Sequence, residues 1–287
     1  MSRYSSADSL VRSADKIATP PKVYHRVNEI VSDPNSTTSD IAHVISGDAG
    51  ISLRLLRIVN SAFFGYTQKV ESLDQAVMAV GTAQVRDLVL ATTVAEKFEG
   101  LPPDLINMDR FWAHSLACGV TARSLAVARK EMVLEPFFLA GMMHDVGRLV
   151  MFTKMPNECR EVVSRCLKNN EVMQVVEREV FGFDHSDVGG CLLNAWGLPP
   201  QLEEAVASHH LPQKAVRNPM LSSVVHIADV VVHALKLGNS GVNMIPKLSS
   251  FAWSKFGLAS HVLPAVVEQT ELQYHAILKA MDISAPR

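Results

Sequence analysis

The chain has 287 residues, of which 48% are hydrophobic and 20% charged, as in a globular protein with one large domain or two small ones. Its 27 Lys and Arg residues nearly balance 29 Asp and Glu residues, and no basic block could neutralise a run of phosphates, which argues against a nucleic-acid scaffold. No segment reaches the ~18–20 uncharged apolar residues of a membrane span, and the opening lacks the apolar stretch of a secretory signal. The four cysteines form no Cys-x-x-Cys pair, so we expect reduced thiols and a cytoplasmic protein.

Helical periodicity and capping residues predict helices along almost the whole chain. Asp48 is a candidate N-cap for a helix whose apolar residues recur from Ile51 to Phe63. The run 224–232 is rich in β-branched residues, but its length without Gly or Pro favours a buried helix over a strand. Further helices are predicted at about 74–80, closed by Gly81, then 82–98, capped by Thr82, and then 107–130, 135–152, 158–169, 170–180, 184–196, 199–209, 219–237 and 264–281. We therefore predict an all-α fold.

The clearest interruption of the helical pattern is Glu-Gly-Leu-Pro-Pro-Asp at residues 99–104. It suggests an N-terminal helical lobe over residues 1–103, packed on a second helical lobe over residues 104–240. Residues 241–287 are then expected to form a C-terminal helical extension packed on the second lobe.

A His-Asp pair, His144-Asp145, lies in an apolar segment at residues 138–152 that we expect to be a helix buried on nearly every face. An ionised carboxylate there costs several kcal/mol unless it is paired or bound to a metal. Arg148 follows three residues later on about the same face, so one interpretation is a buried Asp145–Arg148 pair beside a core histidine.

A second apolar segment also carries a carboxylate, Asp229, within residues 221–235. His226 and His233 lie on the same face, so the simpler interpretation is an Asp229 side chain that accepts from an imidazole. Two such segments in one chain make a shared cause, a metal, more probable.

Three further positions could complete a metal site. His114 lies on an inward helix face with Cys118 as its i+4 neighbour. His185 follows Asp184, a candidate N-cap, where the helix dipole favours the neutral imidazole that a metal requires. His209-His210 ends a helix. Each has an ordinary alternative: a core histidine, a neighbour of a cap, and a solvated helix end.

In this order, the residues resemble the ligands of the HD superfamily of metal-dependent phosphohydrolases. The resemblance implies that His114, His144, Asp145 and Asp229 hold a first divalent ion and that Asp145 can bridge to a second. His185 and either His209 or His210 match the second-ion ligands. Nitrogen and carboxylate ligands suit two ions of iron, manganese or zinc.

The N-terminal half resembles the HDOD family, because Asn-Ser-Ala-Phe-Phe-Gly at residues 60–65 is followed by Val-Glu-Ser-Leu-Asp-Gln-Ala-Val at residues 70–77. The similarity spans about residues 17–235 and implies a bacterial, all-α protein of signal transduction. Many HDOD proteins have lost the metal ligands and are regulatory, whereas this chain keeps a full set. The cyclic-di-GMP phosphodiesterases of the HD superfamily carry a Gly-Tyr-Pro loop that this chain lacks, although Arg148 stands where they place a Lys.

The resemblance implies three functions. The first is a metal-dependent phosphohydrolase of a nucleotide or other phosphate ester, in which Asp145 and Arg148 are the catalytic residues. The second is a non-catalytic module whose N-terminal lobe contacts a signalling protein. The third is an HD-type diiron oxygenase, which uses the same six ligands.

Overall fold

The computed structural model describes residues 4–98, 100–241 and 244–283. These residues form helices and no strand, so the all-α prediction is confirmed. The α-helices up to residue 98 are α1 (Ala7–Arg12), α2 (Asp15–Ala18), α3 (Lys22–Ser32), α4 (Thr38–Ser46), α5 (Ala49–Val59), α6 (Leu73–Val80) and α7 (Thr82–Thr93). Those that follow are α8 (Met108–Ala128), α9 (Glu135–Met143), α10 (Val146–Lys154), α11 (Pro156–Asn169), α12 (Met173–Phe181), α13 (His185–Ala195), α14 (Pro200–Ser208), α15 (Pro219–Leu235), α16 (Ser250–Phe256) and α17 (Leu263–Ala280).

The capping residues predicted from the sequence are mostly in place. The Asp48 side chain accepts from the backbone N–H of Ile51 at 3.0 Å and begins α5, which ends at Val59, earlier than expected. Gly81, with φ of 93°, closes α6. The prediction that Thr82 caps the next helix is wrong, because Thr82 is already the first residue of α7 and Gly81 occupies the cap position.

The single helix predicted over residues 135–152 is also wrong: α9 and α10 are separate, and the break falls on the His-Asp pair. Asp145 has φ of −98° and ψ of 0°, a sparsely populated backbone region in which many active-site residues lie. Apolar periodicity continues across this break because both helices are buried, so the pattern alone could not reveal it. The sequence analysis also predicted no helix at the positions of α1 to α4 and of α16.

The chain divides into two compact units. The first unit contains the described residues up to 19 and from 100 to 270, and the second contains residues 20–98 and 271–283. The boundaries predicted from the sequence include residues 1–19 in the N-terminal lobe and residues 271–283 in a C-terminal extension of the other lobe, so the predicted and observed divisions differ at both ends of the chain.

The second unit contains α3 to α7 and the last turns of α17 around a core of large apolar side chains. Asn60, from the Asn-Ser-Ala segment, holds the loop after α5 in place. Its Oδ1 accepts from the backbone N–H of Val70 at 2.8 Å, and its Nδ2 donates to the carbonyl of Val70 at 2.8 Å. This asparagine therefore serves the local fold of the second unit.

In the first unit, α8 is the central helix, since fifteen of its 21 residues are buried. It packs against α9 and α15, while α13 packs against α10 and α14. The contact between α10 and α13 is very close: a Cβ atom at Gly147 would collide with the carbonyl oxygen of His185 and lie 2.5 Å from the backbone nitrogen of Gly189. The backbones that carry His144-Asp145 and His185 therefore lie next to each other.

The segment before α15 is held by one carboxylate, Glu204 of α14. Its oxygens accept from the backbone N–H groups of Val216, Arg217 and Asn218 at 2.8–3.0 Å. Burial raises the pKa of Glu204, but these hydrogen bonds outweigh it and hold the pKa below its ordinary value of 4.5.

We expect Glu204→Gln to lower the free energy of unfolding by about 1–3 kcal/mol, because an amide offers only one acceptor oxygen to these donors. Since the folded-state pKa is depressed, this stabilisation is present above pH 4.5 and is lost as the pH falls through the folded pKa. Urea unfolding at neutral and acidic pH measures both effects. Glu203→Gln, one residue earlier, is the matched control and should shift stability by less than ~0.5 kcal/mol. Equal unfolding curves for the two variants would contradict the prediction.

No single helix in the described ranges is both long and apolar enough to cross a membrane. Only α6 joined to residues Thr82–Phe98 meets that length and composition, across a bend of 115°.

Candidate metal centre

The seven residues predicted as metal ligands lie on five elements of the first unit, and the structure brings all seven together. We call this group the His/Asp cluster: His114 in α8, His144 and Asp145 between α9 and α10, His185 at the start of α13, His209 and His210 directly after α14, and Asp229 in α15. All except His210 are at most 2% exposed, so six of the seven residues are buried.

One half of the cluster forms around Asp229 and one oxygen of Asp145. Asp229 Oδ1 lies 3.3 Å from His114 Nε2 and 3.5 Å from His144 Nε2, and Asp145 Oδ2 lies 3.3 Å from His144 Nε2. Two ligand atoms bonded to one tetrahedral ion at ~2.0–2.2 Å are ~3.3–3.6 Å apart. These side chains therefore have the spacing of ligands to a common ion.

The other oxygen of Asp145 faces the second half of the cluster. Asp145 Oδ1 lies 3.1 Å from His185 Nε2 and 4.0 Å from His209 Nε2. His210 Nε2 approaches His185 Nε2 to 2.8 Å, and the three histidines form a group that could hold a metal ion. The two oxygens of one carboxylate thus face separate sets of imidazoles.

Five buried atoms of the cluster find no hydrogen-bond partner among the described residues. They are both carboxylate oxygens of Asp145, Oδ1 of Asp229, and Nε2 of His144 and of His209. An unsatisfied buried polar atom costs ~1–3 kcal/mol. Arg148 and His233 offset part of this cost at Asp145 Oδ2 and Asp229 Oδ1. Divalent cations accept electron pairs from all five atoms, so the residues fit a metal site.

Hydrogen bonds on the outer side of the imidazoles fix which nitrogen faces the centre. Nδ1 of His144 donates to the carbonyl of Gly141 at 2.7 Å, and Nδ1 of His209 donates to the carbonyl of Val206 at 2.7 Å. In the neutral imidazole, Nε2 then presents its lone pair to the cluster, the usual arrangement around a metal-bound histidine.

Glu177 is a residue of the site that the sequence analysis missed. Its carboxylate lies 2.5 Å from His185 Nδ1 and accepts from the His185 backbone N–H at 3.0 Å. Glu177 is 1% exposed and lies one and four residues after the buried Val176 and Met173, within the apolar stripe of α12. The sequence signal that could have identified Glu177 is a carboxylate within the apolar stripe of a helix.

Arg148 forms the predicted pair with Asp145, because its Nη1 lies 3.3 Å from Asp145 Oδ2. The same nitrogen donates to the Oγ and the carbonyl of Ser240 at 2.6 and 3.0 Å, and Nη2 lies 3.2 Å from His185 Nε2. The Asp145–Arg148 pair and the His/Asp cluster are therefore both present. Ser240, a second residue that the sequence did not indicate, fixes the guanidinium beside the centre.

The imidazole partner predicted for Asp229 is also present, as His233. Its Nδ1 lies 2.8 Å from Asp229 Oδ1 while donating to the backbone carbonyl of Asp229 at 3.0 Å. The His226 imidazole instead forms hydrogen bonds with other residues: its Nδ1 donates to the carbonyl of His209, and its Nε2 accepts from the Ser249 N–H.

The cluster keeps both of its central carboxylates ionised. Burial raises the pKa of Asp145, but Arg148 and His144 lower it well below its ordinary value. Burial likewise raises the pKa of Asp229, and His233 and His114 lower it well below the ordinary value. Charged carboxylates are the form that binds a cation.

The histidines divide into two groups. Burial lowers the pKa of His114 to about 4 and, with the neighbouring His144, that of His209 to about 3. Burial also lowers the pKa of His144, but Asp145 and Asp229 outweigh this effect and raise it to about 10. Burial and Arg148 lower the pKa of His185, but Glu177 and Asp145 outweigh them and raise it to about 9. The neutral His185 expected from the helix dipole is therefore not favoured by the protein groups alone, since two carboxylates at ~3 Å act more strongly than a helix terminus.

The fold is all-α, and its cluster of five histidines and two aspartates contains groups that could hold metal ions. The HDOD domain family model matches residues 17–212, and the chain belongs to this family. The family predicted from the sequence is thus confirmed.

Two solved structures share the fold. A proposed phosphohydrolase from Shewanella amazonensis SB2B is 21% identical, with a TM-score of 0.75 over 96% of this chain and 98% of that chain. An HDOD domain protein with unknown function from Geobacter sulfurreducens is 20% identical, with a TM-score of 0.75 over 95% of this chain and 97% of that one. At these identities the likeness establishes the fold alone.

A curated relative from Treponema pallidum (strain Nichols), itself uncharacterized, is 24% identical over 243 residues. The match covers 84% of this chain and 47% of the relative, so the chain spans about half the length of the curated relative that it matches.

Proposed function

We propose that this chain binds two divalent metal ions in the His/Asp cluster and hydrolyses a phosphate ester, with nucleotides as the substrate class. The observation that carries the proposal is that five buried nitrogen and oxygen atoms without a hydrogen-bond partner among the described residues lie on the two sides of the Asp145 carboxylate. In one half the ligands are His114, His144 and Asp229, and in the other they are His185 with His209 and His210. Asp145 serves both halves.

Divalent ions at such a centre act as Lewis acids and lower the pKa of water. The protein side chains then have three tasks. Asp145 and Asp229 supply the negative charge that holds cations in a buried site, and the outer hydrogen bonds of His144, His185 and His209 keep Nε2 directed at the centre. Arg148 binds and orients the phosphate, because a guanidinium can donate two parallel hydrogen bonds to phosphate oxygens.

A phosphate that binds Arg148 must replace some of the contacts that the Arg148 guanidinium makes in this structure. Arg148 is 5% exposed and is shared among Asp145, His185 and Ser240. Ser240 belongs to the segment after α15, so substrate entry requires a local movement of that segment.

The burial of the cluster also supports a second candidate, a regulatory module that binds metal without turnover. In that case the second unit contacts a signalling protein, and the metal stabilises the fold of the first unit. The same measurements distinguish the two functions.

The test begins with the metal content of protein purified without a His-tag or chelator. A panel of nucleotides, cyclic dinucleotides and an aryl phosphodiester is then assayed with manganese and with ferrous iron. Turnover of one substrate class above a metal-only control supports the hydrolase. Occupied metal sites without turnover favour the regulatory module, and oxygen consumption by the iron form would instead indicate an oxygenase.

We expect Arg148→Ala to lower phosphate-ester turnover by about 100-fold or more while the metal content stays unchanged, because orientation of the phosphate and coordination of the ions are separate tasks. Arg148→Lys should recover part of the rate, since it keeps the charge but not the paired donors. Arg160→Ala, which removes an exposed pair with Asp104, is the control and should leave turnover unchanged. Loss of metal together with activity in Arg148→Ala would contradict a role in phosphate orientation.

A further inference from the structure

A cysteine, Cys118, lies beside the His/Asp cluster and has no part in the function proposed so far. It stands one helical turn after His114 in α8, and neither side chain is more than 1% exposed. Its Sγ lies 3.6 Å from His114 Nε2. Residues four apart share a helix face, so both side chains are directed to the same point.

Ligand atoms of Cys118, His114, His144 and Asp229 all lie within 4.8 Å of one another. A sulfur at ~2.3 Å and a nitrogen at ~2.1 Å from one tetrahedral ion are ~3.6 Å apart, which matches the observed separation of Sγ and Nε2. Two members of this group, His144 through Nε2 and Asp229 through Oδ1, carry atoms without a hydrogen-bond partner among the described residues.

The backbone contact between α8 and α9 holds Cys118 in this position. A Cβ atom at Gly141 would lie 2.7 Å from the carbonyl oxygen of Cys118, so only glycine permits this approach. The approach places Cys118 opposite the end of α9, where His144 follows directly. Cys159 and Cys166 are also buried, but neither belongs to such a group within the described residues.

We propose that Cys118 is a further ligand of the ion held by His114, His144, Asp229 and one oxygen of Asp145, and that its sulfur makes this half of the cluster select zinc over manganese. A cysteine binds a divalent ion as the thiolate, so the thiol proton is released to solvent on binding. Thiolate favours zinc, whereas manganese prefers oxygen ligands. This inference rests on the proposed metal centre but not on hydrolysis.

One consequence is that the two halves of the His/Asp cluster have different roles. An ion that binds Cys118 in addition to these residues is coordinatively closed, as structural sites are, whereas a catalytic site keeps a position open for water or substrate. The other oxygen of Asp145 faces His185 and His209. Substrate would therefore bind at the half formed by Asp145, His185, His209 and His210.

The test uses the full chain loaded with cobalt(II), which reports a sulfur ligand through a charge-transfer band in the near ultraviolet. The wild type should show this band, and Cys118→Ala and Cys118→Ser should lose it, while Cys166→Ala, the matched buried control, should keep it. In competition between zinc and manganese, the bound zinc-to-manganese ratio should fall about tenfold or more in Cys118→Ser.

The outcomes separate this inference from the proposed centre. A wild type that binds metal without the sulfur band overturns the role of Cys118 and leaves the centre intact, whereas a wild type that binds no metal overturns both. If the Cys118 variants fail to fold, X-ray absorption of the zinc-loaded wild type decides: a sulfur neighbour at ~2.3 Å supports the inference, and nitrogen and oxygen neighbours alone overturn it.

Discussion

Replacing Asp145 with alanine is expected to abolish metal binding by both halves of the His/Asp cluster. The two oxygens of Asp145 face different sets of imidazoles, at 3.3 Å from His144 and 3.1 Å from His185. In the wild type, an ion at about 1,000 times its dissociation constant should stabilise the fold by about 4 kcal/mol through binding to the native state. This corresponds to a rise in melting temperature on the order of 10 °C for a unit of this size, and the rise should disappear in Asp145→Ala.

The variant should also be less stable in chelator, because Arg148 and His144 lose a buried counter-charge, at a cost of about 3–5 kcal/mol. Calorimetry or thermal unfolding with and without metal separates the two effects. Asp87→Asn is the control: it alters a buried carboxylate of the second unit, and so its melting temperature should still rise with metal. Equal melting temperatures of the wild type with metal and with chelator would rule out a tight site.

Substitution of Gly147 by alanine is expected to destabilise the first unit by about 3 kcal/mol or more. The new methyl group would overlap the carbonyl oxygen of His185 and approach the backbone nitrogen of Gly189, and neither backbone group can rotate away. Relief requires α10 and α13 to separate. That movement would draw Asp145 away from His185, so metal affinity should fall together with stability.

Chemical denaturation and metal analysis measure the two losses for Gly147→Ala. The control is Gly50→Ala in α5, where the nearest atom to the new Cβ is the side-chain Oδ1 of the capping residue Asp48 at 3.3 Å, which needs to move by only a few tenths of an ångström. A helical Gly→Ala substitution there should change stability by no more than about 1 kcal/mol. Similar unfolding curves for the two variants would show that α10 and α13 can separate without loss.

Most helices, and the residues of the candidate centre, could be predicted from the sequence because each rests on a local signal. Asp48 and Asp184 stand before apolar runs and begin helices as capping residues do. Asp145 and Asp229 are carboxylates in apolar surroundings, which requires a partner whatever the fold. The order of these aspartates and the histidines along the chain indicated the HD superfamily, and the segments at residues 60–65 and 70–77 indicated the HDOD family.

The sequence could not reveal the features that depend on which helix faces meet. Periodicity identifies a buried face but not the face that packs on it, so it gave no reason to connect Arg148 with Ser240, 92 residues later, or His185 with Glu177 on the preceding helix.

The sequence by itself determined that this protein is all-α, that it belongs to the HDOD family, and which histidines and aspartates are candidates for one site. Tertiary structure decided that the helix breaks at His144-Asp145, that a carboxylate raises the pKa of His185, and that Cys118 reaches the cluster. The physical reason is the same for all three. Local propensity and capping act within a few residues, whereas the distance between side chains on different helices is fixed only by close packing of backbones, as between Gly147 and His185.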